Sequence, residues 1–142
     1  MHPTLVAELA FELRAALGPI YRRLTAEKSL PLGQTRVLNA LVAQGGTTSS
    51  ALATAERITP QSMAAIVADL EARGYVTREQ DPHDGRRRVV LVTQDGRAAL
   101  ERDRNAMSGW LASAMLERLD DDERAALAAV VPVLLKLGLP RG

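Results

Sequence analysis

The stretch YVTREQDPHDGRRRVVLVT, from Tyr75 to Thr93, narrows the possible folds of this chain more than any other part of it. Two runs rich in β-forming residues flank the cluster DPHDG, whose proline, aspartates and glycine favour a turn. The stretch therefore predicts a β-hairpin with a loop of several residues. On both sides of it, apolar residues recur with the spacing of helices. We expect a mainly α fold that contains one small hairpin.

The first helical segment runs from Leu5 to Leu24 and carries leucines at a spacing of four residues. This spacing places them on one face of a helix of about five turns. Gly18-Pro19 lies inside the segment, and because proline removes a backbone hydrogen bond, we expect it to kink or split the helix. So long an apolar stripe at the start of a short domain indicates that a partner chain covers it.

Two shorter helical segments follow. In LPLGQTRVLNALVAQGG, the final Gly45-Gly46 pair ends the helix, because glycine takes the left-handed backbone conformation with little strain. Its predicted buried face consists of Val37, Leu38, Leu41 and Val42. Next, TTSSALATAERI predicts a short helix, capped by its Thr/Ser cluster, with Leu52 and Ala53 on the apolar side.

The segment TPQSMAAIVADLEARG predicts the helix immediately before the hairpin. Thr59 is a typical N-cap residue, and Pro60 suits the first helical position because its missing N–H has no partner there. The predicted inward stripe consists of Met63, Ile66, Val67 and Leu70. Two short helices followed by a two-stranded wing make a winged helix–turn–helix, which is the fold class that we predict.

Two helices are expected after the hairpin. Thr93 caps the first, and the acidic run from Asp120 to Glu123 opens the second, where negative charge suits the positive end of the helix dipole. Pro132 is expected to bend the last helix. The predicted apolar faces are Leu100, Met107, Trp110, Leu111, Ala114 and Met115 in the first helix, and Leu127, Val130, Val131, Leu134 and Leu135 in the second.

Composition excludes several kinds of site. The 142 residues include no cysteine, so disulfides, thiolate metal sites and cysteine-based sensing are impossible. His2 and His83 lie far apart in the sequence, and we expect no metal and no cofactor. We find no nucleophile–base motif or phosphate loop and therefore expect no enzyme. The formal net charge of +1 neither supports nor opposes a nucleic-acid partner, so the local placement of charge has to decide.

The first residues, MHPTLVAELAFELRAALG, contain Glu8 and Glu12 within their apolar stretch. They therefore resemble neither the apolar core of a signal peptide nor a membrane-spanning helix. No apolar run in the sequence approaches the thickness of a bilayer. We expect a cytoplasmic protein with no membrane partner.

The residues from Thr59 to Leu100, TPQSMAAIVADLEARGYVTREQDPHDGRRRVVLVTQDGRAAL, resemble the recognition helix, wing and next helix of the MarR family of bacterial transcription regulators. The specific part is a wing pattern made of Asp81, Pro82, Asp84, Arg86, Thr93 and Gly96. The order and lengths of the flanking helices also match, so the resemblance covers nearly the whole chain. It implies a homodimer joined through the N- and C-terminal helices, in which each protomer presents one winged helix–turn–helix to double-stranded DNA.

The resemblance sets our expectations for domains and function. We expect a single domain over residues 1–142, with a DNA-binding lobe at about 30–93 and a helical dimerisation region at about 1–29 and 94–142. We expect a sequence-specific regulator, a homodimeric repressor of an inverted-repeat operator that a small aromatic or phenolic ligand relieves. The alternative is a winged-helix module that binds proteins without recognising DNA.

In a helix–turn–helix, the first turn of the second helix lies against base edges in the major groove. Gln61 can bond adenine, Ser62 can bond a base or a phosphate, and Ala65 can touch a thymine methyl group, as can Pro60. The predicted contacts are Thr59, Pro60, Gln61, Ser62 and Ala65. The competing interpretation is that these residues are only the well-capped start of a surface helix.

The wing arginines are the second set of candidates. Alternation along a strand would send Arg86 and Arg88 to one face and Arg87 to the other. We expect Arg86 to enter a narrow minor groove, with Asp84 holding its guanidinium in place. Arg87 or Arg88 would contact phosphate, or the two would be solvated charges that keep the strand edge from pairing.

Two further groups complete the candidate sites. Thr47, Thr48 and Ser49 could donate to phosphate at a helix N-terminus, or serve as caps alone. The family resemblance places bulky side chains near an effector pocket, with Arg14 positioned to pair with an acidic ligand. The candidate effector residues are Phe11, Arg14, Leu17, Tyr21 and Trp110, although such a stripe at helical spacing is also typical of a core.

Overall fold

The helical and β-rich patterns fold into a winged helix–turn–helix, as predicted. A computed structural model describes residues 1–140. The elements in chain order are α1 (Pro3–Ala26), α2 (Leu32–Gln44), α3 (Ser49–Glu56), α4 (Pro60–Ala72), β1 (Val76–Gln80), β2 (Arg88–Val92), α5 (Gln94–Arg118) and α6 (Asp121–Leu137). No helix within residues 1–140 combines the length and the apolar character needed to cross a membrane.

The chain forms two compact units. The winged unit comprises Ala26–Ala106, and the helical unit comprises Met1–Thr25 together with residues 107–140. The first half of α5 therefore belongs to the winged unit, whereas the expected division of the chain assigned all of this helix to the dimerisation region.

The core of the winged unit is built from the apolar faces of α2, α3 and α4, the start of α5 and the hairpin. The predicted inward stripe of α4 packs into this core, since Met63, Val67 and Leu70 are buried and Ile66 packs against them. The short α3 contributes Leu52 from the side predicted to be apolar. These contacts fix α3 and α4 against each other, and so set the position of the helix–turn–helix.

Val42 of α2 was predicted to be buried, and this prediction is wrong, because 36% of the residue is exposed. The buried residues of α2 are Gln34, Val37, Leu38 and Leu41, which follow the i, i+3, i+4, i+7 pattern of one helix face. Val42 is one residue, or about 100°, beyond Leu41 and falls outside that face.

The side chains predicted to cap helices do so. Each threonine that precedes α3, α4 and α5 accepts a hydrogen bond from the backbone N–H three residues further on. These are Thr48, Thr59 and Thr93, at donor–acceptor distances of 3.1, 3.0 and 3.1 Å. At the start of α6, the Asp120 carboxylate accepts from the N–H of Glu123 at 2.8 Å, and the Glu123 carboxylate accepts in return from the N–H of Asp120 at 3.0 Å.

The strands β1 and β2 pair in antiparallel register, with Gln80 opposite Arg88 at the loop end. Because β2 begins at Arg88, Arg86 and Arg87 lie in the loop and not in the strand. The expected alternation of the three arginines between two strand faces is therefore wrong. Hydrogen bonds within the loop, and not the pleat of a strand, set the backbone of the first two.

The segment between α2 and α3 is joined to the hairpin by a pair of backbone hydrogen bonds. The N–H of Thr47 donates to the carbonyl of Val90 at 3.2 Å, and the N–H of Val90 donates to the carbonyl of Thr47 at 2.7 Å. A Cβ atom at Gly46 would lie 2.5 Å from Leu91 Cδ2 and 2.6 Å from Val89 Cγ1. The absence of a side chain at Gly46 thus allows this close approach.

The start of α5 packs directly on the chain that enters the hairpin. Gly96 is buried in the first turn, where a Cβ atom would overlap the carbonyl oxygen of Tyr75 and lie 3.0 Å from Val92 Cγ2. That carbonyl accepts a hydrogen bond from the N–H of Thr93 at 3.0 Å, and the Thr93 hydroxyl donates to the carbonyl of Gly74 at 2.6 Å. Glycine at position 96 therefore permits the junction between hairpin and helix.

Asp103 of α5 is buried, and its carboxylate accepts three hydrogen bonds. It accepts from the N–H and the hydroxyl of Ser29, both at 2.9 Å, and from the N–H of Leu30 at 3.0 Å. Burial raises the pKa of Asp103, but these hydrogen bonds and the charge of Lys28 outweigh that effect and hold the pKa below its ordinary value. The ionised side chain ties the segment before α2 to α5.

The helical unit differs from the winged unit in having apolar side chains on its surface. Neither α1 nor α6 contains a buried residue. The helix α1 continues through Pro19, so this proline does not split it. Beside it, the Arg23 guanidinium lies over the Trp110 ring at 5.3 Å from its centroid. Exposed apolar side chains of α1 and α6 include Leu5, Leu9, Phe11, Leu17, Val131, Val133 and Leu135.

Candidate nucleic-acid interface

The first turn of α4 presents polar and small side chains to solvent. Thr59 caps the helix, and its hydroxyl contacts the Ser62 hydroxyl at 2.9 Å. The residues predicted to contact bases, Thr59, Pro60, Gln61, Ser62 and Ala65, are all exposed. They lie on the face opposite the buried Met63, Val67 and Leu70. Packing of the buried face fixes the position of the helix and leaves these side chains in solvent.

Two aspartates fix the backbone of the wing loop. Asp81 accepts a hydrogen bond from the N–H of His83 at 2.9 Å, and Asp84 accepts one from the N–H of Arg86 at 3.1 Å. The N–H of Asp81 also donates to the carbonyl of Arg87 at 2.9 Å and closes the loop. The sequence predicted that Asp84 holds the Arg86 guanidinium; within residues 1–140, its hydrogen bond is instead to the Arg86 backbone. This is the ordinary reach of an aspartate to the N–H two residues ahead.

The three arginines lie on one side of a cleft whose other side is the N-terminus of α3. This arginine cleft, with a volume of about 440 Å³, is lined by Thr48, Ser49, Ser50, Arg86, Arg87 and Arg88. No carboxylate is among these residues. Arg87 Nε lies 4.0 Å from Asp81 Oδ2, and Arg88 Nη2 lies 3.4 Å from the carbonyl oxygen of Arg78. The positive charges of the wing therefore meet the positive end of a helix dipole.

The threonine and serine residues at the start of α3 have different positions. Thr47 is half-buried and joins the hairpin through its backbone, and the Thr48 hydroxyl caps α3. Ser49 and Ser50 line the arginine cleft. The sequence pointed to Ser49 but not to Ser50, because Ser50 is brought to the wing by the pairing of Thr47 with Val90, which joins residues far apart in the sequence.

The candidate effector residues all belong to the helical unit. Phe11, Arg14, Leu17 and Tyr21 are exposed on α1, and Trp110 of α5 is half-buried. Trp110 lines an apolar groove of about 510 Å³ between α1, α5 and α6, whose other lining residues include Ile20, Leu111, Met115, Leu127 and Val130. Of the five predicted residues, Trp110 is the one that lines this groove. Sequence reasoning did not identify Arg23, whose guanidinium stacks on the Trp110 ring.

Comparison with known proteins agrees with this architecture. A sequence model of the MarR family matches residues 28–87. The chain is similar to an uncharacterized HTH-type transcriptional regulator of Mycobacterium leprae, with 34% identity over 92% of this chain and 93% of that protein. It is also similar to the crystal structure of a putative transcriptional regulator from Pseudomonas aeruginosa PA01, with a TM-score of 0.82 and 35% identity over 99% of this chain and 100% of that one.

A further solved structure shares the fold. A MepR mutant from S. aureus, bound to an oligodeoxyribonucleotide, has a TM-score of 0.70 and 19% identity, covering 90% of this chain and 96% of that one. The likeness in sequence and fold extends along nearly the full length of the chain, including the wing. The protein therefore belongs to the MarR family of non-enzymatic, DNA-binding transcriptional regulators.

Proposed function

We propose that this regulator binds an inverted repeat in duplex DNA, with α4 in the major groove and the wing at the neighbouring minor groove. The observation that carries the proposal is the exposed first turn of α4, with Gln61 and Ser62, in the same unit as a wing bearing three consecutive arginines. Side chains of these types read bases and contact phosphates. The oligodeoxyribonucleotide bound by the MepR mutant, which has the same fold, is consistent with this use of the wing and helix.

The proposal includes a homodimer. Leu9 and Phe11 of α1 are 52% and 69% exposed, and no residue of α1 or α6 is buried. Many exposed apolar side chains on two helices are unfavourable in water and are typical of an interface. Two copies related by a two-fold axis would present their α4 helices to half-sites about 34–36 Å apart, which is one turn of DNA. In sedimentation experiments we expect the intact chain to be a dimer, and a stable monomer would contradict this part of the proposal.

We further propose that the protein acts in the cytoplasm as a repressor that a small aromatic or phenolic molecule releases from DNA. The apolar groove beside Trp110 supports a ligand of this kind, because its volume of about 510 Å³ falls within the range of small-molecule pockets. Arg23, whose guanidinium lies over the Trp110 ring at 5.3 Å from its centroid, would favour an acidic ligand.

The decisive experiment for DNA recognition is to capture genomic fragments with the purified protein and sequence them. The proposal predicts a short inverted repeat among the captured fragments. Gln61→Ala is expected to relax the preference for one base in each half-site, because a glutamine can bond adenine at two atoms. If no shared sequence emerges, or if affinity is insensitive to salt, the chain is a protein-binding winged helix, since DNA binding weakens steeply as salt rises.

Arg86→Ala tests the wing. We expect the variant to lose about 1–3 kcal/mol of binding free energy for the captured operator, and the slope of log affinity against log salt to fall by about one unit. The expected cause is the loss of one guanidinium from the DNA surface. Fluorescence anisotropy at four or five salt concentrations measures both quantities. An operator affinity equal to that of the wild type would rule out a role for Arg86.

The fluorescence of Trp110 can report ligand binding at the proposed effector site, because Trp110 is the one tryptophan in the sequence. Simple aromatic acids and phenols that release the protein from DNA are expected to change its fluorescence over the same concentration range. Trp110→Phe serves as the control, which keeps an aromatic ring but removes the signal. Release from DNA without any change in fluorescence would place the effector away from Trp110.

A further inference from the structure

We propose that Gln34 of α2 is a positioning residue for base recognition, and that its side-chain amide fixes the rotation of α4 through Asp69. Gln34 is 7% exposed, so it cannot itself reach DNA. The inference rests on the proposed function, in which α4 lies in the major groove, and adds the residue that holds this helix in its reading orientation. Neither Gln34 nor Asp69 is one of the DNA contacts that the sequence predicted.

A side-chain hydrogen bond links α2 to α4. Gln34 Nε2 donates to Asp69 Oδ2, and the same oxygen accepts from Arg73 Nε at 3.0 Å. Within residues 1–140 no other hydrogen bond joins these two helices, and the core between them is otherwise apolar. Apolar contacts have no preferred direction, whereas a hydrogen bond weakens steeply when its angle changes. The amide is therefore the group that defines how α4 is rotated about its own axis.

The two helices approach each other closely beside this hydrogen bond. A Cβ atom at Gly33, the residue before Gln34, would lie 3.2 Å from Ile66 Cδ1. Ile66 and Asp69 are three residues apart and therefore lie on the same side of α4. An apolar contact and a hydrogen bond thus lie side by side, and together they join the first turn of α2 to the middle of α4.

The orientation of Asp69 determines the orientation of the turn that would read bases. Ser62 and Asp69 are seven residues apart on α4, which is nearly two full turns, so their side chains point in directions that differ by about 20°. Recognition side chains need to be held within about 10–20° of their productive geometry. A rotation of α4 that moved Asp69 away from Gln34 would turn Gln61 and Ser62 by the same angle.

The amide of Gln34 is unfavourable for stability. Its carbonyl oxygen Oε1 is buried and accepts no hydrogen bond from the protein within residues 1–140. An ionised carboxylate only accepts hydrogen bonds, so the amide nitrogen has to face Asp69 and the oxygen has to face away. An unpaired buried carbonyl destabilises a folded protein, whereas a leucine of similar size would not. Buried polar groups can select one packing arrangement among several, which accounts for a glutamine at a position that otherwise suits an apolar residue.

Gln34→Leu is the first test. The quantity measured is the ratio of two affinities, one for the captured operator and one for a duplex of equal length with scrambled half-sites. This ratio is expected to fall about tenfold, the effect of one lost base contact. The salt slope is expected to stay unchanged, because the phosphate contacts remain. The free energy of unfolding is expected to be unchanged or higher. Partial unfolding would lower both affinities equally, so a merely structural role would leave the ratio as it is.

Asn39→Ala is the matched control on α2. The Asn39 Oδ1 atom accepts a hydrogen bond from Arg104 Nη2 of α5 at 3.0 Å. The substitution therefore removes a hydrogen bond between α2 and another helix while leaving the bond to α4 intact. The ratio of operator affinity to scrambled-duplex affinity is expected to equal that of the wild type.

The second test separates the hydrogen bond from the charge of Asp69. Asp69→Asn retains an oxygen that accepts from Gln34 and is expected to keep the wild-type ratio. Asp69→Ala removes the acceptor and is expected to lower the ratio about tenfold. Both variants lose the same charge, and since Asp69 is exposed, both are expected to fold.

The outcomes distinguish the inference from the function on which it rests. A wild-type ratio in Gln34→Leu, or equal ratios in Asp69→Asn and Asp69→Ala, would overturn the positioning role and leave the proposed function intact. A wild-type protein with no preference for any duplex sequence would instead refute the proposed function, and this inference with it.

Discussion

Asp103→Ala is expected to lower the free energy of unfolding by about 2–4 kcal/mol, because it leaves the N–H groups of Ser29 and Leu30 without their acceptor, and Leu30 is buried. The carboxylate is the link between α5 and the chain before α2, so the loss is expected to loosen the winged unit as a whole. Urea denaturation at pH 7, followed by far-UV circular dichroism, measures the effect. A loss below about 1 kcal/mol would show that water replaces the carboxylate easily.

The same residue predicts a pH dependence. The pKa of Asp103 in the folded protein lies below that of an unfolded aspartate, about 3.9. Its contribution to stability is therefore complete above the unfolded pKa and is lost as the pH falls through the folded pKa. Asp103→Asn removes the charge and retains the shape. The stability difference between wild type and Asp103→Asn is expected to be full at pH 7 and to shrink below about pH 4, and a difference that is constant with pH would contradict the ionised state.

Gly96→Ala is expected to destabilise the protein by about 1–3 kcal/mol, although alanine is the better helix former. The added Cβ would overlap the carbonyl oxygen of Tyr75, which is part of the backbone and cannot rotate away. Relief requires α5 to move from the hairpin, which strains the hydrogen bonds of Thr93 to Tyr75 and Gly74. Thermal or urea unfolding of the full chain gives the size of the loss.

Gly109→Ala is the matched control for this prediction. Gly109 lies on the same helix, and a Cβ atom added there would have no neighbouring atom within 4 Å. The substitution is expected to be neutral or to stabilise the protein by up to about 1 kcal/mol, as helix propensity predicts. If both alanine variants changed stability by the same amount and sign, the close approach to Tyr75 would have no energetic importance.

The parts of the fold that local chemistry determines were predictable from the sequence. Threonine before a helix, proline at its first position and a Pro/Asp/Gly cluster between β-rich runs each act over a few residues. The caps Thr48, Thr59 and Thr93 and the buried stripe of α4 are confirmed for this reason. The burial of Val42 was wrong because the buried face of α2 ends at Leu41, and Val42 is rotated by about 100° from Leu41 to a position outside that face.

The candidate site was predicted as a set of residues but not as an arrangement. Arg86, Arg87 and Arg88 were assigned to two faces because the alternation of a strand was expected to include all three, whereas the strand begins at Arg88. Two contacts join positions far apart in sequence: the wing lies beside Ser49 and Ser50, and Asp103 is hydrogen-bonded to Ser29. A single sequence carries no periodic signal for such contacts, because they depend on how the elements pack.

The two backbone hydrogen bonds between Thr47 and Val90 separate two functions of the winged unit, contact with the DNA backbone and contact with the bases. These bonds join the wing to the segment before α3, the two elements that would contact the DNA backbone. The exposed side chains of α4, which would contact the base pairs, are not part of this link. Position 61 or 62 can therefore vary while the anchoring geometry persists. Single substitutions on α4 would thus be able to change the DNA sequence that the protein prefers without weakening its contacts with the DNA backbone.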